Sequence, residues 1–255
     1  MQVNKGDIFK VGNHIIGCGS SLDRDFVKEV IGICKIRSVI TDPPYGVAYV
    51  ENKKDLVKIK SDKVIENDHL QSESEYISFT QKWIGNILPY LDEYNTFHIF
   101  NSDLMFLALR TGMQNAGIKF SQMLVWIKNQ PVMGMKDYLS QFEVIAYGWF
   151  GKHKFERSKA KSVIFHSKPK KSNLHPTQKP VGLIRKLIQD VTKIGDVVYD
   201  PFLGSGTTLV ACEHLHRVCI GIEMDPVYVK VCIARLEKLT GIKVEKIKEY
   251  GSREK

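Results

Sequence analysis

The sequence predicts an α/β fold: a mostly parallel, twisted sheet with helices on both faces. Three observations carry that reading. Short apolar runs rich in β-branched and aromatic residues alternate with longer amphipathic stretches, the pattern of parallel strands joined by crossover helices. Two of these runs end in acid-proline turns, Thr41-Asp42-Pro43-Pro44-Tyr45-Gly46 and Asp200-Pro201-Phe202-Leu203-Gly204-Ser205-Gly206. The 255 residues show no internal repeat and no low-complexity linker, so one domain spanning 1–255 is expected, with length enough for a substantial core.

Taken in order, 14–18, 37–41, 96–101, 122–128, 142–148, 196–200 and 217–223 read as strands. Each is short and bounded by turn residues. Between them, 23–32, 75–90, 102–116, 180–193, 206–215 and 225–240 have helical spacing. The last opens on Asp225-Pro226, a good helix start, and brings Val227, Val231, Ala234 and Leu239 to or near one face. Residues 46–75 are polar and lack clear periodicity, so they are either a mobile functional loop or disordered. The charged tail after Gly241 reads as a marginal helix or a frayed end.

Hydrophobic residues make up 43% and charged residues 25% of the chain, an ordinary globular composition. No apolar run approaches the roughly 20 residues a membrane helix needs, and no secretory signal is visible. The cysteines are five, an odd number, without a C-x-x-C pair. This points to neither a disulfide framework nor a zinc site, and to a cytoplasmic location. His214 and His216 are two apart on a helix and face different directions, so no metal site is expected. His98, in an apolar strand, reads as a satisfied core histidine. The net charge is +9, and 150–180 holds nine Lys or Arg against the single acid Glu156. Such a run is a solvated loop or a phosphate-contacting surface.

The glycine turn narrows the ligand. A strand runs into Asp200-Pro201-Phe202-Leu203-Gly204-Ser205-Gly206 and a helix follows from Thr207. Glu223 ends the next strand 17 residues beyond Gly206 (223 − 206), near the place where a doubly wound sheet sets an acid for a ribose hydroxyl pair. The dinucleotide fingerprint fails, since Leu209 stands where its last glycine belongs. A phosphate loop fails for want of its lysine. An acid at Asp200 repels phosphate and attracts an ammonium, so S-adenosylmethionine fits better than a nucleotide.

Asp42-Pro43-Pro44-Tyr45, followed far downstream by Asp200-Pro201-Phe202-Leu203-Gly204-Ser205-Gly206, resembles the DNA amino-methyltransferases. These transfer a methyl group to the exocyclic nitrogen of adenine or cytosine. The order, catalytic motif first and cofactor glycines later, resembles the beta class, a Rossmann-like methyltransferase fold with circularly permuted motifs. His175-Pro176-Thr177-Gln178-Lys179-Pro180 is similar to the segment preceding that family's cofactor strand. The resemblance covers about 13–241.

It implies roles residue by residue. Asp42 and the carbonyl of Pro43, fixed by Pro44, accept the N–H groups of the target amine, and Tyr45 offers a stacking face to a flipped base. Asp200, Phe202, Gly204, Ser205, Gly206 and Thr207 form the cofactor turn and Glu223 holds its ribose. Thr177 and Lys179 lie near its methionine end. Ser20 stands where relatives carry an acid for the cofactor adenine, so either Asp23 substitutes or backbone makes that contact. The region 127–175 contacts double-stranded DNA, with Arg157, Lys168, Lys170 and Lys171 on phosphates. Asp42 at the head of the motif favours adenine N6; cytosine-N4 enzymes more often carry serine there. The resemblance leaves room for a homodimer. Readings of other classes are a homologue that binds DNA without catalysis, and methylation of RNA or a protein amide. The absence of a Pro-Cys nucleophile pair speaks against cytosine-C5 chemistry.

Overall fold

The structure, a computed structural model, describes residues 1–45, 72–132, 137–157, 160–167 and 178–250. Its strands are β1 (Asp7–Val11), β2 (His14–Cys18), β3 (Ile36–Thr41), β4 (Leu91–Asn101), β5 (Lys119–Ile127), β6 (Phe142–Trp149), β7 (Val163–Phe165), β8 (Val197–Asp200), β9 (Val218–Glu223) and β10 (Glu245–Glu249). Its α-helices among the described residues are α1 (Arg24–Ile31), α2 (Glu73–Ile87), α3 (Phe106–Asn115), α4 (Val181–Val191), α5 (Thr207–His214) and α6 (Pro226–Thr240).

Among the described residues, ten strands join one sheet in the order β10-β1-β2-β9-β8-β3-β4-β6-β5-β7. Its centre, β2-β9-β8-β3-β4, is parallel throughout. β6 runs antiparallel between β4 and β5. The chain leaves β8 toward β9 on one side, and leaves β3 toward β4 on the other. The boundary between β8 and β3 is therefore the switch point of the sheet, where open α/β sheets hold their ligands.

Alternation along the strands divides the core between two faces. Ile40, Val198 and Cys219 pack with Leu187 of α4, Leu209 of α5 and Leu236 of α6. Val39, Tyr199 and Ile220 pack on the other face with Val27 of α1, Trp83 of α2 and Leu109 of α3. In α4 the buried Leu183, Ile184, Leu187, Ile188 and Val191 recur at helical spacing. Each such side chain contributes about 1.5–3 kcal/mol on full burial.

The structure corrects several expectations. β1 and β7 form where no strand is expected, and the tail after Gly241 carries β10 rather than a helix. β10 is exposed along its length but is held to β1 by backbone pairing and by Lys246, whose Nζ lies 2.6 Å from the buried Asp7 carboxylate. Of the expected 46–75 loop, 46–71 lie outside the described residues. Ser72 caps α2 in a reciprocal capping box with Glu75, and α2 has begun by Glu73. The strand expected at 142–148 forms as β6, inside the sheet and within the expected DNA-contacting region. His98 is buried as expected, but its Nδ1 lacks a hydrogen-bond partner among the described residues.

Candidate active site

β3 ends at Thr41, and Asp42-Pro43-Pro44-Tyr45 follow it off the carboxyl edge of the sheet. β8 ends beside it at Asp200. Proline cannot extend the ladder, so the chain turns there. The Thr41 hydroxyl donates to Asp200 Oδ1 at 2.8 Å, the Thr208 hydroxyl to Oδ2 at 2.6 Å, and the Phe202 N–H to Oδ1 at 3.1 Å. Both oxygens of this buried carboxylate are engaged by the chain, so Asp200 organises the turn from within. Burial pushes its pKa up to about 6, against the pull of those hydrogen bonds.

The glycine turn is braced from several sides. Gly204 and Gly206 adopt left-handed φ of 52° and 78°, which favours glycine. Glu223, at the end of β9, accepts the Gly204 N–H at 2.7 Å through Oε2 and the Asp225 N–H at 2.8 Å through Oε1. Burial raises its pKa to about 7. Arg235 on α6 donates to the Ser205 carbonyl, and the Cys232 thiol lies 3.2 Å from the Gly204 carbonyl. Ser205 and Thr207 are buried, and the half-buried Phe202 ring packs near Phe79 and Trp83 at 5.6 and 5.8 Å. Ser20 follows β2, which pairs with β9 so that Cys18 faces Glu223. Its hydroxyl accepts the Leu22 N–H at 3.2 Å. Asp23 is exposed and caps α1 through Oδ1, so its carboxylate already has a local role.

The Asp42 turn is wired to charges the sequence did not connect. The Tyr45 hydroxyl donates to Asp42 Oδ1 at 2.6 Å. Lys179, just before α4, places its Nζ 2.5 Å from Asp42 Oδ2, 3.1 Å from Glu143 Oε2 and 3.3 Å from the Tyr45 oxygen. The same ammonium lies 5.6 Å from the Tyr45 ring centroid and 5.3 Å from that of Phe100, within cation–π range. Glu143 Oε1 takes a second cation, Lys128, at 2.8 Å. Both lysines are buried. Burial raises the Asp42 pKa, with Lys179 opposing and Glu143 adding to the rise. For Lys179, burial disfavours the charge, but Asp42 and Glu143 outweigh it and hold its pKa above the ordinary value. Burial likewise works against ionised Glu143, and Lys179 and Lys128 overcome it to hold its pKa low. The chain Asp42–Lys179–Glu143–Lys128 is thus four buried or half-buried charges of alternating sign.

Lys179, expected near the methionine end of a cofactor, is tied to Asp42 in the structure. Lys128 and Glu143 were missed. Their signal was a charge within or ending an apolar strand, which requires a partner. Thr177, Lys168, Lys170 and Lys171 lie outside the described residues. Arg157 is not brought to this site. Its N–H bonds the carbonyl of Asp190 in the last turn of α4, while Lys179 precedes the first, about 16 Å of helix away.

The model of the N6/N4 methyltransferase family, described as DNA methylase, matches residues 36–235. The chain belongs to that family. The match begins with β3 and takes in both acid-proline turns and Glu223. The chain is 26% identical over 228 residues to the type II methyltransferase M.HpaI of Haemophilus parainfluenzae, covering 78% of this chain and 67% of that protein. It is 28% identical over 218 residues to the type II methyltransferase M2.DpnII of Streptococcus pneumoniae, covering 78% and 81%. Among solved structures it resembles the M1.HpyAVI–SAM complex, with 26% identity, a TM-score of 0.64 and coverage of 86% of this chain and 98% of that one. The cytosine-N4-specific PvuII DNA methyltransferase shares the fold at 18% identity, with a TM-score of 0.70 and coverage of 93% and 94%. As in these relatives, the fold is a Rossmann-like methyltransferase fold.

Proposed function

We propose that this DNA methyltransferase uses S-adenosylmethionine to methylate the N6 amino group of adenine in double-stranded DNA, with the target base turned out of the helix. One observation carries the reading: Thr41 bonds Asp200 at 2.8 Å, which sets the Asp42 acceptor and the glycine turn side by side at the switch point. Asp42 at the head of the motif supports adenine.

The residues present suit the cofactor. Glu223 is half-buried at the strand end and accepts the backbone N–H groups of Gly204, Asp225 and Met224, which leaves its carboxylate acceptor capacity for a ribose hydroxyl. Gly204 and Gly206 let backbone approach a ligand closely. The positions of Phe202 beside this turn and Ser20 beyond β2 suit the nucleoside. When bound, S-adenosylmethionine supplies an electrophilic methyl group on a sulfonium.

The protein's own part is alignment and charge. An aromatic amine is a weak nucleophile because its lone pair is delocalised into the ring. Asp42 and the Pro43 carbonyl accept its two N–H groups, draw the nitrogen toward tetrahedral geometry and aim the lone pair. As the N–C bond forms, positive charge grows on the nitrogen, and the Asp42 carboxylate stabilises it. The surplus proton then leaves the nitrogen through Asp42 or directly to water. Tyr45 is half-buried with its hydroxyl on Asp42, leaving its ring as a stacking surface.

The connection between β5 and β6 leaves from this edge. The Lys128 N–H bonds the Gln141 carbonyl and the Val132 N–H bonds that of Ser140, and Tyr138 there is 91% exposed. Together with the basic run that includes Lys168, Lys170 and Lys171, this connection suits DNA contact. Arg157 does not enter the proposal. Single-molecule sequencing of DNA from a host expressing the chain tests it. N6-methyladenine in a fixed context is expected; N4-methylcytosine, or no new modification, overturns it.

A further inference from the structure

We infer that Glu143 and Lys128 are a positioning pair that sets the aim and ionisation of Asp42 through the Lys179 ammonium. The inference deepens the proposed function and rests on Asp42 as the acceptor for the target amine.

The geometry runs inward from Asp42. Lys179 bridges Asp42 Oδ2 at 2.5 Å and Glu143 Oε2 at 3.1 Å, so its ammonium is fixed between two carboxylates. Glu143 in turn is fixed between two ammonium groups, because Oε1 takes Lys128 at 2.8 Å. Each partner comes from a different element. Asp42 follows β3, Lys179 precedes α4, Glu143 lies on β6, and Lys128 follows β5. β5 and β6 are paired in register, Trp126 opposite Glu143, so Lys128 and Glu143 are held by the sheet and not by a loop. The Lys128 ammonium also lies 5.4 Å from the buried Trp126 ring. Among the described residues, the cluster is also faced by the Tyr45 hydroxyl, 2.6 Å from Asp42 Oδ1 and 3.4 Å from Glu143 Oε2, by Asp200 across the Thr41 bridge, and by the Tyr76 phenol, which acts on Tyr45.

Charge bookkeeping gives the pair its function. With all four groups ionised the chain sums to zero, and a buried charge without a partner is strongly disfavoured. Lys179 alone would neutralise Asp42 and stand in the way of the positive charge that develops on the target nitrogen. Glu143 returns one negative charge and anchors Lys179 from behind. Lys128 balances Glu143, so the added acid does not force Asp42 to take up a proton. Removing Glu143 or Lys128 therefore moves the ionisation of Asp42 in opposite directions, and removing both restores it. A pair that served stability alone would leave the acid limb of methyl transfer where it is.

The test follows the Asp42 carboxyl carbon by 13C NMR across about pH 4 to 9 in wild type, Glu143→Gln, Lys128→Met and the double variant. Asp42→Asn assigns the resonance. The midpoint is expected to fall in Glu143→Gln, rise in Lys128→Met and return toward wild type in the double variant. The acid limb of kcat/KM for methyl transfer should move with it. In Lys128→Met a displacement of one pH unit lowers the rate about tenfold on that limb. Unmoved midpoints, or midpoints moving the same way in both single variants, overturn the inference. If the single variants do not fold, the 15N resonances of Lys179 and Lys128 in the wild-type chain decide. Both should respond at the Asp42 midpoint, Lys179 more strongly; silence at that midpoint overturns the inference. Coupled titration in a chain that methylates no DNA counts against the proposed function alone. Methylation without coupling counts against the pair alone.

Discussion

The Thr41 hydroxyl donates to Asp200 at 2.8 Å across 159 residues of sequence. Two turns distant in the chain, one carrying Asp42 and the other the glycines, are joined by that bond. Asp200 is buried and has three donors, so loss of one leaves an oxygen underbonded. Thr41→Val keeps the shape and removes the donor. It should destabilise the protein by about 1–3 kcal/mol, measured by urea unfolding. It should also weaken S-adenosylmethionine binding, which calorimetry reads.

Glu223 titrates near pH 7, because burial raises its pKa to about 7. The ionised carboxylate is the better acceptor for ribose hydroxyls, so binding favours loss of the proton. Affinity for S-adenosylmethionine should fall as pH drops through 7. Glu223→Gln should bind more weakly at pH 8, with that dependence flattened. A calorimetric pH series on both chains checks this, and equal slopes would remove Glu223 from the ribose site.

His98 makes the protein acid-sensitive. Burial lowers its pKa to about 3 from 6.5, and its ring rests 4.9 Å from that of Tyr147. A depressed histidine pKa means that the unfolded chain binds more protons between these values. Stability is therefore complete above about pH 6.5 and is lost as pH falls toward 3. At pH 5 the loss from this residue is about 2 kcal/mol. His98→Phe removes the titrating group from the same slot. Relative to wild type, its stability should improve progressively as the pH of a denaturant series is lowered from 7 to 5.

Most of the sheet was legible in the sequence, because β2, β3, β8 and β9 are short apolar runs and their neighbouring helices carry an apolar face. Both acid-proline turns were legible for the same reason, as breaks at the ends of such runs. β10 was not. Its residues Glu245-Lys246-Ile247-Lys248-Glu249 are all exposed, so no apolar period marks it, and backbone pairing with β1 and the Lys246–Asp7 contact fix it instead. Lys128 and Glu143 were illegible as a site because each looks like an isolated charge in a packing strand. Their partners are supplied by strand pairing and by Lys179, which is distant in sequence. A basic run reads as one surface, yet the backbone of Glu156 and Arg157 bonds Asp190 at the end of α4 away from Lys179.

Gly206 is a sharp test of the turn. Its φ of 78° is left-handed, and a Cβ there would stand 2.9 Å from the Cys232 sulfur. Gly206→Ala should cost about 1–2 kcal/mol in backbone strain alone, with the turn displaced from α6. Thermal unfolding should show the loss. S-adenosylmethionine affinity should drop about tenfold or more, since each 1.4 kcal/mol lost from binding is a factor of ten.

The central claim is that Asp42 directs methyl transfer to the adenine amino group. The most direct measurement incubates purified chain, double-stranded DNA and methyl-labelled S-adenosylmethionine, then locates the label by mass spectrometry of the released nucleosides. Wild type should place it on adenine N6. Asp42→Ala should place none, while calorimetry shows its cofactor binding nearly intact. Label on cytosine N4, or wild-type transfer by Asp42→Ala, would contradict the account.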